Sequence, residues 1–583
     1  MYPQSASGSA SVGQYGFLSL RKAALFSLMF SSRLGGSMPG VLGDGNPFDE
    51  IIKDLEHDLG ISDSNSPSSS LSPSSSLSTS LSTSTSDTMS SLLTAHALGT
   101  STSSSELPTS DQLPISSVLA SAAPAIQTPV AAVQNTTGTG DAKTNSTQTP
   151  AVFAHVIVGN TYNYTVNTWS KDIALAASKG IDAFALNVGG DSWEPSQVAN
   201  AYAAAGQYNA NQTAPTRPTS DSTNGTTTSS AAPFKLFLSF DMSSIPCSSA
   251  SDAQRLQTYI NTYANNTSQM MYNGRTLVST FAGEACTFGT NGSLNQAWTS
   301  ALKPANASLP SVWFVPSFFV DPQTFQNLTV IDGAFNWNSA WPMGNYNITF
   351  APDLSYINNL NNRTYMASVS PWFFTHYGKD TYNKNFIYRG DDWLFAQRWE
   401  MLVQNRTLVP LAEVLTWNDY GESHYLGPVD GIQPMSQAWV NGFDHQPWLD
   451  LMQYYITAYK TGTYPPITKD RVFMWGRLYP ANATAPNDAV GKPDNWQWTQ
   501  DYLWAVSLLT APANVTLSCG SSSQTTQVPA GLTKLKLKLS ANCAAKATVM
   551  RNKATALSLS PKGFNFNTRP PSYNFNAFVA VSP

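Results

Sequence analysis

The sequence has few charged residues, few histidines and no long apolar run. Of its 583 residues, 11% are Asp, Glu, Lys or Arg and six are His, and the formal net charge is −5. This weakly acidic balance, without a basic run, gives no electrostatic reason to bind nucleic acid. No apolar stretch reaches about 20 residues, so no membrane span is expected. Scarce histidines without paired-ligand spacing argue against a metal site, and no cofactor is predicted.

Cysteine is also scarce, and the motifs that are missing exclude several chemistries. None of the four cysteines has the spacing of a zinc ribbon or a CxxC redox pair. Their distribution along the chain predicts two local disulfides, Cys247–Cys286 and Cys519–Cys543, in an oxidising compartment; the alternative is four free thiols. A GxSxG elbow is absent, which disfavours a Ser-His-Asp triad, and no glycine-rich phosphate loop is present.

The first 150 residues are rich in Ser and Thr and predict little folded structure. Residues 1–40 contain Arg21-Lys22, an apolar run to Phe30 and then small residues, which is the order of a signal or targeting segment. The alternative is a disordered start. Residues 41–150 are predicted to be a disordered, O-glycosylated stalk with one isolated helical pattern at 46–62. Asn-x-Ser/Thr sequons that recur along the chain indicate a secreted glycoprotein.

From residue 151 to 466 the chain alternates apolar runs of strand length with helical patterns. Eight strands joined by helical crossovers predict a parallel sheet closed into a (β/α)8 barrel of the TIM type. The fifth and sixth crossovers are weakly helical, so a distorted barrel is expected. Gln207–Ala232, rich in Thr, Ser and Asn, is predicted to be a surface loop. The predicted strands are Val152–Val158, Ile181–Val188, Phe234–Phe240, Leu277–Phe281, Val312–Phe319, Gly333–Trp337, Tyr365–Phe373 and Leu411–Trp417. The helical patterns include Trp169–Lys179, Ser196–Ala205, Ser251–Ala264, Asp391–Gln404 and Pro447–Lys460.

Residues 467–583 change to short β-patterned pieces and predict an accessory β-sandwich. Leu532–Leu539 alternates apolar and polar residues almost strictly, as a half-exposed strand does. This domain could bind glycan or shape a cleft, but a packing role is the simpler interpretation. Its tryptophans suit a sandwich core or a domain interface equally well.

Polar and aromatic residues stand at the predicted carboxyl ends of the barrel strands, where barrel enzymes place their chemistry. Charged residues are scarce in this chain, so their recurrence at these ends carries weight. Asp191 and Asp321 are more simply loop or cap residues, and His155 is more often a satisfied core histidine. The residues predicted to bind substrate are His155, Asn187, Asp241, Glu284, Trp337, Trp341, Trp372, Trp417 and Tyr420.

The most informative stretch is Leu411–Pro428, an apolar strand that breaks into a polar loop. Asp419 and Glu422 lie three residues apart there, with Gly421 between them to allow a tight bend. Two carboxylates beside aromatic rings suit glycoside hydrolysis, in which one acid protonates the leaving oxygen and the other activates water or attacks carbon. The alternative is that both acids merely cap the next turn.

The two acids need different protonation states for this chemistry. Repulsion from Asp419 would raise the pKa of Glu422 and keep it protonated. Glu284, at the end of the fourth strand, is the rival for the acid. Sequence spacing does not decide between an inverting and a retaining geometry.

From about Val152 to Pro466 the chain resembles the fungal α-1,3-glucanases, or mutanases, of glycoside hydrolase family 71. The resemblance rests on the order and density of several blocks. These are VFAHVIVGNTYNYT, DIALAASKGIDAFALNVG, FKLFLSFDMSS, VWFVPSFF, DGAFNWNSAWP, MASVSPWFFTHYG, KNFIYRGDDWLFAQRWEML and EVLTWNDYGESHYLGP. The N-terminal 150 residues lie outside it, and residues 467–583 match less distinctively.

The resemblance implies an inverting endo-hydrolase of α-1,3-glucan, a cell-wall and extracellular polysaccharide, and we expect a monomer that is secreted or held in the cell wall. The resemblance also implies that Asp419 and Glu422 of the WNDYGES block are the catalytic acids, and we expect Asp419 to act as base and Glu422 as acid, although the roles could be reversed. Asp241 of the SFDMS block falls on another family motif acid, a candidate for positioning substrate. Two alternatives remain open: a barrel hydrolase of another α-glucan, and a non-catalytic protein that holds wall glucan.

Overall fold

The computed structural model describes residues 149–213, 232–304 and 309–583. The segments predicted as signal, residues 1–40, and as helical pattern, residues 46–62, lie outside these ranges, as does nearly all of the predicted stalk.

Eight parallel strands carry the α/β part of the chain, and each predicted strand is present within a few residues of its expected bounds. The strands are almost wholly buried, because both faces are covered. They are β1 (Ala151–Ile157), β2 (Ala183–Val188), β3 (Lys235–Asp241), β4 (Arg275–Phe281), β5 (Val312–Ser317), β6 (Gly333–Asn336), β7 (Thr364–Val369) and β8 (Leu411–Val414).

The sheet is curled, because its first strand pairs with its last. β1 is hydrogen-bonded in parallel to β2 on one side and to β8 on the other. The pairing continues from β2 through β3 and β4 to β5, and from β8 through β7 to β6. At the seam between β5 and β6, the Asp332 amide donates to Phe314 O at 2.8 Å. The Asp332 carboxylate accepts from Phe314 N at 2.9 Å, so one residue bridges the two ends.

Alternation along each strand separates the two apolar layers. Along β1, Val152, Ala154 and Val156 pack in the cluster that includes the helix residue Trp169, whereas Phe153 joins the cluster inside the curl. The Phe153 and Phe237 rings meet there, with centroids 4.9 Å apart. The same period of two turns the next odd-numbered residue of β1, His155, toward the interior.

In the described part of the chain, seven helices of nine or more residues connect the strands or follow them. Thr165 caps the first through its hydroxyl, which accepts from Thr168 N at 3.2 Å, and Gly180 at φ 88° follows its end. As expected, the β5–β6 crossover is weakly helical, with a single short 3-10 segment. The β6–β7 crossover holds a regular helix. The helices are Val166–Ser178, Glu194–Thr213, Ala250–Tyr263, Leu294–Leu302, Ala351–Asn359, Leu394–Gln404 and Pro447–Thr461.

The second helix continues to Thr213, so the first part of the segment predicted as a loop is helical. The physical reason lies in Asn209, whose side chain bonds both backbone groups of Phe234. Its Nδ2 donates to Phe234 O at 2.9 Å and its Oδ1 accepts from Phe234 N at 2.8 Å. Tyr208 packs against the core beside it. These contacts fasten the last turns of the helix to the start of β3.

Residues 471–581 form two antiparallel sheets that share one apolar core. Val472 and Leu503 from one sheet pack in the same cluster as Leu517, Ala547 and Val549 from the other. The first sheet contains Arg471–Gly476, Tyr502–Leu509, Gly531–Lys538 and Phe578–Val581; the second contains Ala513–Cys519, Ser522–Val528, Cys543–Arg551, Ala554–Leu559 and Asn565–Phe566.

Both predicted disulfides are confirmed. Cys247 is bonded to Cys286 and Cys519 to Cys543, each pair with a Cα–Cα distance of 5.1 Å. The first joins the segments that follow β3 and β4, and the second lies within the C-terminal β region.

The C-terminal sheets pack directly on the α/β part. The Trp372 indole donates to Phe575 O at 2.8 Å, and the Trp393 indole donates to Ala505 O at 2.9 Å. His445 Nε2 lies 2.9 Å from Ala577 O. Trp475 and Trp504 are buried, which agrees with the expected packing role of tryptophans in this region. Within the described part of the chain, no helix combines the length and apolarity that crossing a bilayer requires.

A fully buried ion pair holds two helices behind β7. Arg398 donates to both oxygens of Asp353 at 2.7 Å, and neither side chain is exposed. The same guanidinium donates to Ser368 O at 2.9 Å, and Tyr365 donates to the carboxylate at 2.6 Å. The pair therefore joins both helices to the strand between them.

We predict that Asp353→Asn lowers the free energy of unfolding by about 3–5 kcal/mol, because it leaves a buried guanidinium without its counter-charge. Thermal and denaturant unfolding followed by circular dichroism measure the loss. The control is Lys534→Met, which breaks a half-exposed pair with Glu400 and should cost about 1 kcal/mol or less. Losses of equal size in the two variants would contradict the structural role of the buried pair.

Candidate active site

Asn418 fastens the loop after β8 to the end of β1. Its Oδ1 accepts from Ile157 N at 2.8 Å, and its Nδ2 donates to Ile157 O at 3.0 Å. On either side, Trp417 N donates to His155 O at 2.8 Å, and Asn160 Nδ2 donates to Asn418 O at 3.0 Å. A buried side chain thus continues the pairing of β1 and β8 after their backbones separate, and Asp419 follows it immediately.

Asp419 and Glu422 bracket a single turn of 3-10 helix, Tyr420–Glu422. Asp419 N donates to Thr416 Oγ1 at 2.8 Å, which fixes the start of the turn. A Cβ on Gly421 would lie 2.1 Å from the Tyr377 hydroxyl oxygen. The glycine is therefore required for the close approach of Tyr377 rather than for the bend that the sequence suggested.

The carboxylates of this turn are partly exposed and close together. The Asp419 side chain is 23% exposed and that of Glu422 is 18% exposed. One oxygen of each, together with a ring nitrogen of His424, lies within 4.8 Å of the others. The two carboxylates therefore reach the solvent close to one another.

His424 is fully buried beneath the two acids. Its Nε2 lies 3.1 Å from Asp419 Oδ2 and 3.3 Å from Glu422 Oε2. These distances place Nε2 in contact with both acids, and neither ring nitrogen has another hydrogen-bond partner among the described residues. The rings of Trp341 and Phe373 enclose the imidazole, with centroids 5.7 and 5.5 Å away.

Lys384 supplies a positive charge to the same group. Its Nζ lies 2.8 Å from Glu422 Oε1, and its side chain is 10% exposed. Burial alone would raise the pKa of Asp419, but His424 and Lys384 outweigh burial and hold that pKa below its usual value. Asp419 is therefore ionised near neutral pH.

Two other predicted acids lie elsewhere on the rim of the sheet. Asp241 Oδ1 accepts from Ser243 N at 3.0 Å and from Ser243 Oγ at 2.5 Å. Glu284 Oε2 accepts from Phe319 N at 3.2 Å. Burial raises the pKa of both carboxyls above the usual values. Neither belongs to the group in which Asp419, Glu422 and His424 meet.

His155 forms a buried pair inside the curl of the sheet. Its Nδ1 lies 2.7 Å from Glu413 Oε1, and both side chains are at most 1% exposed. Its Nε2 has no hydrogen-bond partner in the described residues, and the ring meets the Trp337 ring edge-on at 4.9 Å. Asn187 is buried at the end of β2. These residues are buried inside the curl of the sheet and do not lie in the part of the site that is open to solvent.

Most of the predicted stacking rings are enclosed, which corrects the predicted aromatic wall. Trp341, Trp372, Trp417 and Tyr420 are each at most 3% exposed. Their polar atoms are committed to protein partners: Trp341 donates to Trp372 O, Trp417 to Asp172, and Tyr420 to Pro428 O. A ring without an open face does not stack on a sugar. Trp337 alone of the four tryptophans is partly exposed.

Sequence reasoning missed three residues of this group: Asn418, His424 and Lys384. The first two lie within the WNDYGESH block, beside the acids that were selected. Lys384 precedes the short strand Asn385–Ile387, and nothing in its local pattern indicates a contact with Glu422. Asp191, interpreted as a loop or cap residue, is buried with its pKa raised to about 6 by desolvation.

The acids and His424 could each offer one donor atom to a cation. Lys384 already neutralises Glu422 through Oε1, so a metal ion would compete with an ammonium group that the chain itself supplies. We assign no metal to this group.

Two neighbouring, partly exposed carboxylates at the carboxyl end of a curled parallel sheet are the arrangement that a glycoside hydrolase requires. The glycosyl hydrolase family 71 matches residues 148–583, and the chain belongs to this family.

Relatives in two fungi are similar over most of their length. The glucan endo-1,3-alpha-glucosidase agn1 of Schizosaccharomyces pombe is 38% identical over 437 residues, which cover 74% of this chain and 94% of that protein. The ascus wall endo-1,3-alpha-glucanase of the same yeast is 33% identical, covering 73% and 96%. A mutanase of Penicillium rubens is 32% identical, covering 73% and 88%.

Solved structures give weaker likenesses. A family 99 endo-alpha-mannosidase from Bacteroides thetaiotaomicron is 11% identical with a TM-score of 0.37, covering 53% of this chain and 97% of that one. An endo-beta-1,4-mannanase from Thermotoga petrophila is 8% identical with a TM-score of 0.36, covering 74% and 99%.

We predict that Asn418→Ala lowers kcat by about tenfold to a hundredfold, because the loop that carries Asp419 loses its anchor on β1. The buried Ile157 amide and carbonyl lose their partners, which should also cost about 1–3 kcal/mol of stability. Steady-state kinetics and thermal unfolding measure both effects. Asn359→Ala, which removes an exposed contact with Gln326, is the matched control and should change neither. Wild-type kcat in Asn418→Ala would show that the anchor is dispensable.

Proposed function

We propose that the protein is a secreted, monomeric endo-hydrolase of α-1,3-glucan that uses Asp419 and Glu422 as its catalytic carboxylates. The observation that carries the proposal is the meeting of these two acids in one partly exposed group. The substrate assignment rests on relatives named as α-1,3-glucanases and mutanase. The name of the ascus wall relative supports a location outside the cell or in its wall.

The proposed chemistry assigns Asp419 as base and Glu422 as acid. Asp419 suits a base because its neighbours favour the ionised form. Glu422 suits an acid only when it holds a proton, and its Oε1 lies 2.8 Å from the Lys384 ammonium. We therefore infer that the contact between Lys384 and Glu422 opens when glucan enters. The glycosidic oxygen then takes the proton of Glu422 while Asp419 draws a proton from the attacking water.

The proposed binding surface is smaller than the sequence suggested. Trp337 is the candidate stacking ring, because it is partly exposed and stands above His155. Asp241 is proposed to hold sugar hydroxyls from the end of β3. Glu284 keeps its place as the rival acid, because burial raises its pKa and favours the protonated form.

The division of the chain into domains is also part of this proposal. We interpret residues 151–466 as a distorted (β/α)8 barrel, on the strength of seven parallel ladders and the Asp332 bridge at the seam. We interpret residues 467–583 as a β-sandwich, because two antiparallel sheets share one core. Residues 1–40 as a signal segment, residues 41–150 as a stalk, and glycosylation at the sequons stay predictions.

We predict that Asp419→Asn and Glu422→Gln each lower hydrolysis of α-1,3-glucan by about a hundredfold to ten-thousandfold without unfolding the protein. Asp241→Asn should reduce activity less completely. New reducing ends released from insoluble glucan measure the rate, and circular dichroism checks the fold. Asp444→Asn changes an exposed carboxylate and serves as the matched control.

Near wild-type turnover by either acid variant would refute their assignment. If the wild-type protein binds the polymer and releases no reducing ends, it is a glucan-binding protein. Faster release from another α-glucan in the same assay would instead reassign the substrate.

We predict that the first product of cleavage is the β-anomer, as inversion at an α-linkage requires. The short distance between the two acids makes inversion a demanding prediction. Inverting enzymes hold their carboxyl groups about 6.5–9.5 Å apart and retaining enzymes about 5–5.5 Å apart. The distance of at most 4.8 Å joins single oxygens, so it understates the separation of whole carboxyl groups. Proton NMR of fresh products gives the answer, and an initial α-anomer would indicate a retaining mechanism.

A further inference from the structure

We propose that His424 is a positioning residue for the carboxylate pair: its Nε2–H donates to Asp419 and keeps that side chain charged and aimed into the part of the site that is open to solvent. This inference rests on the proposed function of Asp419 as base. It adds a third member to the catalytic group, one that lies below the acids and does not itself meet substrate.

The first support is that the imidazole has no freedom to face anything else. The side chain is fully buried, and the rings of Trp341 and Phe373 lie against it. The backbone is also held, since Thr416 N donates to His424 O at 2.8 Å. The orientation that brings Nε2 to both acids is therefore fixed by packing.

The second support is the position of the proton on the imidazole ring of His424, which can be Nδ1 or Nε2. A proton on Nδ1 would find no acceptor among the described residues, and the Nε2 lone pair would then face two carboxylates. A proton on Nε2 lies between the acids instead. Whatever its charge, the ring therefore carries a proton on Nε2 and acts as a donor to the pair.

The third support is that the two acids have separate partners. Lys384 Nζ lies against Glu422 Oε1 at 2.8 Å, whereas His424 Nε2 lies nearer to Asp419 than to Glu422. The other ionisable group beside the acids is Tyr377, whose hydroxyl donates to Pro434 O at 2.7 Å. The donor contact available to Asp419 from a side chain in this group is therefore the His424 ring.

The experiment compares wild type with His424→Leu, which removes the donor, and with His424→Gln, which keeps an N–H. The rate is measured on soluble α-1,3-linked oligosaccharides as a function of pH. His424→Leu should lower kcat by about tenfold with KM changed less than about threefold, and the acid limb of the kcat/KM profile should move to higher pH. His424→Gln should recover part of both changes.

The matched control is His445→Gln, which alters a second fully buried histidine, one that contacts Tyr425 O and Ala577 O. It should cost stability and leave the acid limb in place. An unmoved acid limb in His424→Leu, or an equal movement in the His445 variant, would overturn the proposal.

A second measurement does not depend on activity. A carboxyl whose folded pKa is lowered contributes stability above its unfolded pKa, and that contribution disappears as pH falls through the folded pKa. The difference in Tm between wild type and His424→Leu should therefore shrink between about pH 6 and about pH 3. A constant difference would reject the role of His424. Failure of wild type to cleave any α-glucan would reject the proposed function and leave this readout to decide the interaction.

Discussion

The buried amide of Asn418 is the contact on which the geometry of the candidate site depends. The ladder between β1 and β8 ends at Val414, one further backbone bond joins Trp417 N to His155 O, and the Asn418 side chain then makes both bonds to Ile157. This substitution lets the chain leave the sheet while its position stays defined. Asp419 is the next residue, and its position is also well defined because only one peptide unit separates it from the anchored Asn418. The side chain of Asn418 thus extends the sheet and holds the turn that carries both acids.

Scarcity of charge gives the site its electrostatic character. Only 11% of residues are charged, yet two acids, a lysine and a buried histidine meet within one turn and one neighbouring strand. Aromatic rings surround this group and keep its local dielectric low, so each charge has a strong effect on the next. The balance favours an ionised Asp419.

The sequence was sufficient for what depends on local pattern. Buried parallel strands show continuous apolar runs, which is why all eight were found, and nearby cysteines gave the correct disulfide pairs. The closeness of Asp419 and Glu422 was predictable, because residues three apart on one turn lie near each other. Lys384 was not predictable, because its contact with Glu422 depends on long-range packing. The aromatic wall was overestimated for a related reason: a tryptophan at a strand end has no local signal that tells an open ring from a buried one.

The C-terminal region also supports the turn that carries Asp419 and Glu422. This contact explains why the region packs so closely on the α/β part. Asn576 Nδ2 donates to Trp439 O at 2.9 Å, and the Trp439 indole donates to Gly421 O at 3.2 Å. Gly421 lies between the two acids, so the far end of the chain reaches them through one tryptophan. The turn is held by β1 on one side and by residues 574–577 on the other. A module loosely appended for glycan binding would not need this link, whereas a module that stabilises the loop carrying Asp419 and Glu422 does.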